Sequence, residues 1–174
     1  MRNPSVRFAL IFIVSLGIFS LLFQLDAMDR FVVVPLTTLS ARVASVILNL
    51  FGMQTSVDGT VLSGADGFSV NILKGCDGSY VMAIVVAAVL AFPSTWKEKG
   101  IGLALGIPGV QIVNLVRIVS LYYIGVKQPA LFEQFHIYVW QTGVIIVSMA
   151  IWIFWAEVVV GRHPARAVGP KAGR

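Results

Sequence analysis

The sequence predicts an all-α integral membrane helical bundle. It should hold about four transmembrane helices, one interfacial or half-inserted amphipathic helix and a small extracytoplasmic β meander. Three observations carry this reading. Hydrophobic residues make up 57% of the chain and charged residues only 12%, against about 25% charged in soluble domains. Four apolar runs approach the roughly 20 residues that a spanning helix needs. The basic residues lie beside those runs rather than in one patch, as positive-inside placement requires.

Length and composition narrow the options further. At 174 residues, residues 1–174 form a single membrane domain with no room for a separate soluble catalytic domain. The net charge of +5 has no aromatic-basic patch behind it, so nucleic acid is not an expected partner and membrane lipid is. A single cysteine excludes an internal disulfide and any C-x-x-C redox pair.

The first span is residues 8–25, preceded by Arg2 and Arg7. It resembles a signal-peptide core, yet Gln24-Leu25-Asp26-Ala27 offers no clear cleavage site, so it is expected to remain. Residues 35–52 read as an amphipathic helix. Leu36, Leu39, Val43, Val46, Ile47 and Leu50 form its apolar face, and Thr37, Thr38, Ser40, Arg42, Ser45 and Asn49 fill much of the other. Interfacial placement and a full span are both open from periodicity alone. Residues 53–73 read as an outer β meander, because Asp58-Gly59 and Asp66-Gly67 separate short alternating runs. Spans follow at 77–93, 101–124 and 137–160. Residues 161–174, rich in Gly, Ala, Pro and basic types, read as a flexible basic tail.

Charge decides the topology. With the amino terminus inside and 35–52 not crossing, Lys97, Lys99, Arg162, Arg166, Lys171 and Arg174 all fall inside. Asp26, Asp29, Asp58, Asp66, Asp77 and Glu133 then fall outside. This arrangement brings three chemically capable residues to one membrane face.

Cys76 sits in Lys74-Gly75-Cys76-Asp77-Gly78-Ser79, a turn feeding a helix. Helix-start N–H groups attract negative charge on sulfur, and Asp77 opposes that; the alternative is a small buried hydrophobe. Arg117 interrupts the apolar stretch from Val110 to Gly125, where a guanidinium costs a few kcal/mol or more. It either snorkels or lines a polar interior, with Asn114 one turn earlier on the same face. His136 follows Pro129, a favoured first helical residue. Glu133 shares its face and is placed to orient or charge the imidazole; the alternative is membership of an aromatic belt with Phe135, Tyr138 and Trp140. His163, in the basic tail, is set aside.

The Gly75-Cys76-Asp77-Gly78 turn before a span, the Asn114-x-x-Arg117 motif in the next and a histidine opening the last resemble the exosortase/archaeosortase family. The resemblance covers roughly residues 67–156, and the small size is similar to short bacterial subtypes such as exosortase H. In that family the residue after the cysteine is often small, and Asp77 departs from this. The resemblance implies a membrane-embedded cysteine peptidase and transpeptidase of the bacterial cytoplasmic (inner) membrane, with its active site on the extracytoplasmic side. Its partners would be exported proteins carrying a C-terminal sorting signal, namely a short motif, a transmembrane helix and a basic tail. They would be cleaved through a Cys76 thioester and passed to an acceptor nucleophile. Cys76, Arg117 and His136 would be catalytic, with Asn114, Glu133 and Asp77 supporting them or binding substrate. No metal or other cofactor is expected. The rival expectations are a non-enzymatic membrane scaffold or assembly factor, in which Arg117 pairs with Glu133 or Asp77, and a small transporter.

Overall fold

The computed structural model describes residues 3–161. Arg2, His163 and the basic residues of the predicted tail from Arg162 onward lie outside the described residues. Asn3 caps the first helix, α1 (Pro4–Leu22), by accepting the Ser5 N–H on its side chain, and Pro4 brings a helix-ready φ to the first turn. None of the α1 residues is buried, as expected of a helix that faces lipid over most of its surface.

The second helix, α2 (Asp26–Leu50), begins well before the amphipathic stretch at 35–52 and includes a π-helical turn at Asp29–Val33. By length and composition it is one of four helices among the described residues able to cross a membrane. Its contacts show what its polar face does. Ser45 Oγ lies 2.8 Å from Thr55 Oγ1, and the Asn49 amide both donates to the Thr55 carbonyl and accepts its N–H at 2.7 Å. The polar face therefore docks the first strand, and the small buried residues Ala41 and Ala44 on the same side let it close on Ile118 and Tyr122, while Leu39, Val43, Val46 and Leu50 of the apolar face stay exposed. The first turns of α2 meet the end of α1 through Phe23, Val33 and Met28. Both ends of α2 thus lie in the half of the bundle that carries the sheet.

Three strands follow: β1 (Thr55–Asp58), β2 (Val61–Gly64) and β3 (Ser69–Asn71), antiparallel in the order β1-β2-β3. Gly59 makes the two-residue β1–β2 turn possible, with φ at +57°. In the next turn Asp66 accepts the Phe68 N–H and Gly67 takes positive φ.

The third helix, α3 (Ser79–Ala91), has 13 residues, about 20 Å of helix, and falls short of a full span. Its small residues Ala83, Ala87 and Ala91 are buried, and it packs among α1, α4 and α5. The remaining helices, α4 (Trp96–Lys127) and α5 (Pro129–Val160), each run 32 residues. α4 begins before the predicted 101 because Thr95 and Glu98 form a reciprocal capping box. α5 begins before 137 because Pro129 opens it.

Two ends of the bundle are now distinct. Phe8, Phe92, Trp152 and Trp155 cluster at one end, next to the turn that carries Lys97 and Lys99. There the Trp155 indole N–H donates to the Glu98 carbonyl at 2.8 Å, and the Lys99 ammonium donates to the Leu90 carbonyl. The sheet and the Cys76 turn lie at the other end. Between them, glycines on α4 set the helix spacing. A Cβ at Gly102 would come within 2.7 Å of Trp155, and one at Gly106 within 2.7 Å of Val85. Gly100, on the same helix, has open space.

This pair makes a controlled comparison. Gly102→Ala should lose about 1–3 kcal/mol through overpacking. Gly100→Ala should be neutral or gain up to about 1 kcal/mol from helix propensity. Residual folded protein after graded heating in detergent measures the difference, and equal behaviour of the two variants would remove the close-packing role of Gly102.

Candidate active site

The turn that holds Cys76 is built by its neighbours. Gly75 and Gly78 take φ of +93° and +82°, where a side chain is strained. The Asp77 carboxylate is fully buried and folds the turn around itself. Its Oδ1 accepts the Gly75 N–H at 2.9 Å, the Ser79 hydroxyl at 2.8 Å and the Ser79 N–H at 3.4 Å. The Cys76 N–H donates to the Leu73 carbonyl at 2.9 Å. From outside the turn, Lys74 is anchored by an ion pair with Asp29 at 2.5 Å and by the Phe23 carbonyl. The hydrogen bond to the Asp29 carboxylate raises the Lys74 ammonium above the ordinary lysine range. The Cys76 turn is thereby tied to the end of α1 and to α2.

The structure brings Cys76, Arg117 and His136 together from three segments. Cys76 Sγ lies 3.4 Å from His136 Nε2, and Arg117 Nη2 lies 3.8 Å from the same sulfur. Arg117 is 4% exposed. Among the described residues no carboxylate stands within ion-pair distance of it, and no other hydrogen bond engages its guanidinium. His136 lies in a π-helical turn, Phe135–Trp140, within α5. Such wide turns shift the facing of the side chains around them and recur at functional sites. The Phe132 ring sits 5.9 Å from the imidazole.

Asn114 lies one turn below Arg117 and is fully buried. Its side chain supports the turn from beneath: a Cβ at Gly78 would sit 3.3 Å from it. Neither end of its amide has a hydrogen-bond partner among the described residues. Glu133 is exposed and makes no hydrogen bond to His136, although they share the helix. Among the described residues no group of three His, Cys, Asp or Glu side chains is gathered as a metal site.

A cavity of about 390 Å³ opens onto the three residues, within the size range of ligand sites. Leu62 and β3, Leu121 and Tyr122 of α4, and Pro129 and Phe132 of α5 line it together with the three residues. Such a site can offer a sulfur nucleophile, an adjacent proton carrier and a fixed cation inside an apolar groove.

A family model described as transmembrane exosortase (Exosortase_EpsH) matches residues 3–156. The chain belongs to the transmembrane exosortase family. The match runs from the start of α1 into the last turns of α5, well beyond the stretch on which the sequence resemblance rested. No curated protein and no solved structure matches the chain. Four long apolar helices and this membership make the exosortase a multi-pass membrane protein.

Motif reading did not find three supporting residues. Gln111 donates to the Asp77 carbonyl at 3.5 Å, and it was visible as a lone amide one turn before Asn114 in an apolar run. Ser79 closes the carboxylate turn. Tyr122 reaches the Phe68 carbonyl at 3.4 Å, and no local sequence signal distinguishes it from other aromatic residues.

The geometry of the turn yields a stability test. Asp77→Ala in this exosortase should lose about 1–3 kcal/mol, because it strips the acceptor from buried donors, while Asp77→Asn retains an oxygen acceptor and should lose less. Thermal retention of fold in detergent ranks the variants. An Asp77→Ala protein as stable as the parent would show that the turn holds without its carboxylate.

Proposed function

We propose that this exosortase is a cysteine peptidase and transpeptidase. It cleaves the C-terminal sorting signals of exported proteins through a thioester at Cys76 and transfers them to an acceptor. The observation that carries the proposal is one sulfur within 3.4 Å of an imidazole and 3.8 Å of a buried guanidinium, opening to an apolar groove.

The chemistry follows from the three groups. His136 takes the thiol proton as Cys76 attacks the scissile carbonyl, forming a carbon–sulfur bond. The carbonyl π electrons move to oxygen, and the Arg117 N–H donors stabilise that oxyanion. Collapse of the adduct breaks the carbon–nitrogen bond, and His136 returns its proton to the leaving amine. An acceptor amine, deprotonated by His136, then attacks the thioester and releases the thiol. Asn114 holds the turn from below, and Asp77 shapes it. Glu133, exposed on the same helix, bears on the imidazole only through space.

The bundle supports placement on the extracytoplasmic side of a bacterial cytoplasmic membrane. From Trp96 to Arg117, α4 rises about 32 Å, close to the roughly 30 Å hydrocarbon core. With the Lys97/Lys99 turn at the inner boundary, Cys76 meets the outer one. A substrate tethered by its own helix would present its motif at that depth, which replaces three-dimensional search by a fixed approach. The scaffold and transporter readings receive less support. A scaffold would pair Arg117 with Glu133 or Asp77, yet Asp77 Oδ1 is engaged by its own turn and neither carboxylate meets the guanidinium.

Two measurements test the proposal. Cys76→Ala should fold and leave a tagged sorting-signal substrate unprocessed, and mass spectrometry of the co-expressed substrate would detect any cut. Full processing by that variant would remove Cys76 as nucleophile. Arg117→Lys should slow processing about 10²- to 10³-fold, the usual loss for one oxyanion donor, because an ammonium lacks the planar fork. Separately, an impermeant maleimide should label intact cells at Cys76, the single cysteine, from the extracytoplasmic side. Labelling only after permeabilisation would reverse the orientation.

A further inference from the structure

The edge of the sheet that faces the groove is open. In the β2–β3 ladder, Gly64 N–H bonds the Phe68 carbonyl and Ile72 N–H bonds the Thr60 carbonyl. With Leu62 opposite Val70, the alternation of antiparallel pairs makes 64/68, 62/70 and 60/72 the hydrogen-bonded pairs. Ser69 and Asn71 therefore turn their backbone N–H and C=O groups away from β2. Among the described residues, β2 is the element that packs extensively along the β3 backbone. Ser69 and Asn71 both line the cavity that also holds Cys76, Arg117 and His136. The chain then runs through Ile72 and Leu73, also cavity-lining, directly into the nucleophile turn.

An unpaired edge beside a nucleophile has a specific chemical demand. It offers two donors and two acceptors, spaced for an extended backbone about 4.8 Å away. Pro129 and Phe132, which also line the cavity, are apolar and belong to a helix, which presents no strand edge. From this we infer that the substrate's cleavage segment binds as an added strand on β3, pairing with Ser69 and Asn71 so that its scissile carbonyl reaches Cys76. The occupant is an extended peptide, recognised through its backbone and through alternate side chains directed into the groove. Ser69–Asn71 is thus a substrate-positioning edge. The inference rests on the peptidase reading of the same site and goes beyond it by naming how the peptide is held.

Peptide backbone chemistry tests this on the unaltered, detergent-solubilised protein. The probes are capped tetrapeptide chloromethyl ketones of alanine and valine, which alkylate Cys76 with loss of chloride, and a matched set N-methylated at one amide each. Iodoacetamide, which has no backbone to pair, reports intrinsic thiol reactivity. Strand addition predicts that the unmodified peptide labels faster than iodoacetamide. It also predicts a period of two along the N-methyl scan, with alternate positions slowing labelling about five- to tenfold, the scale of one lost hydrogen bond, and positions between them having little effect. A flat scan, or a peptide no faster than iodoacetamide, overturns the inference. The peptidase reading fails by a different result, processing of the co-expressed substrate by Cys76→Ala, so the two can be separated.

Discussion

A guanidinium buried at one end of an apolar bundle, with no carboxylate among the described residues to meet it, is the constraint around which the rest is arranged. Burial of an unpaired charge costs several kcal/mol, and nothing in helix packing returns that cost. The surrounding elements act to keep it anyway. Arg117 sits on α4, which packs against α2, α3 and α5. The Asp77 carboxylate forms no ion pair with it, and its Oδ1 instead accepts from the Gly75 and Ser79 groups of the turn. What faces the guanidinium is sulfur. A site of this kind has electrostatic stabilisation to give when negative charge develops beside it, and a paired arginine would not.

The same arrangement explains why small residues recur where they do. Gly102 and Gly106 let α3 and Trp155 approach α4 closely, so that α3, only 13 residues long, is gripped tightly enough to set the depth of Cys76. Gly125, near the far end of α4, has no room for a Cβ because the Phe68 ring lies against it. Phe68 in turn packs edge-on against Tyr122 and Phe132, which joins the sheet, α4 and α5 around the groove. None of these contacts involves Cys76 or Arg117.

Much of this was readable from residue order, and the reasons for the rest are physical. The glycine-flanked cysteine, the polar pair Asn114 and Arg117 in an apolar run, and Pro129 ahead of His136 each broke a local pattern, so each could be singled out. Charge counting then placed them at one end, where the structure has them. Helix limits were less readable because apolar-run analysis sees lipid exposure and not hydrogen bonding. The Thr95–Glu98 capping box and the Asn3 cap extend α4 and α1 outside their greasy stretches. The π-helical turns at Asp29, Phe135 and Trp155 have no propensity signature. Gln111 was visible in principle as another amide in an apolar run, but its role needs the Asp77 carbonyl, brought in from another segment.

The amphipathic stretch of α2 teaches the most about what periodicity can say. Alternation at helical spacing reports that one face meets polar groups, and at a membrane boundary water or headgroups are the default partners. Here the partner of Ser45 and Asn49 is the edge of β1. The distinction has consequences for function. By occupying the β1 edge, α2 leaves the β3 edge as the one turned toward the groove, and by tying Asp29 to Lys74 it fixes the turn that carries Cys76. A helix that merely floated in the interface would do neither. The polar face of α2 is better understood as the buttress that orients the sheet beside the Cys76 turn than as a surface for lipid.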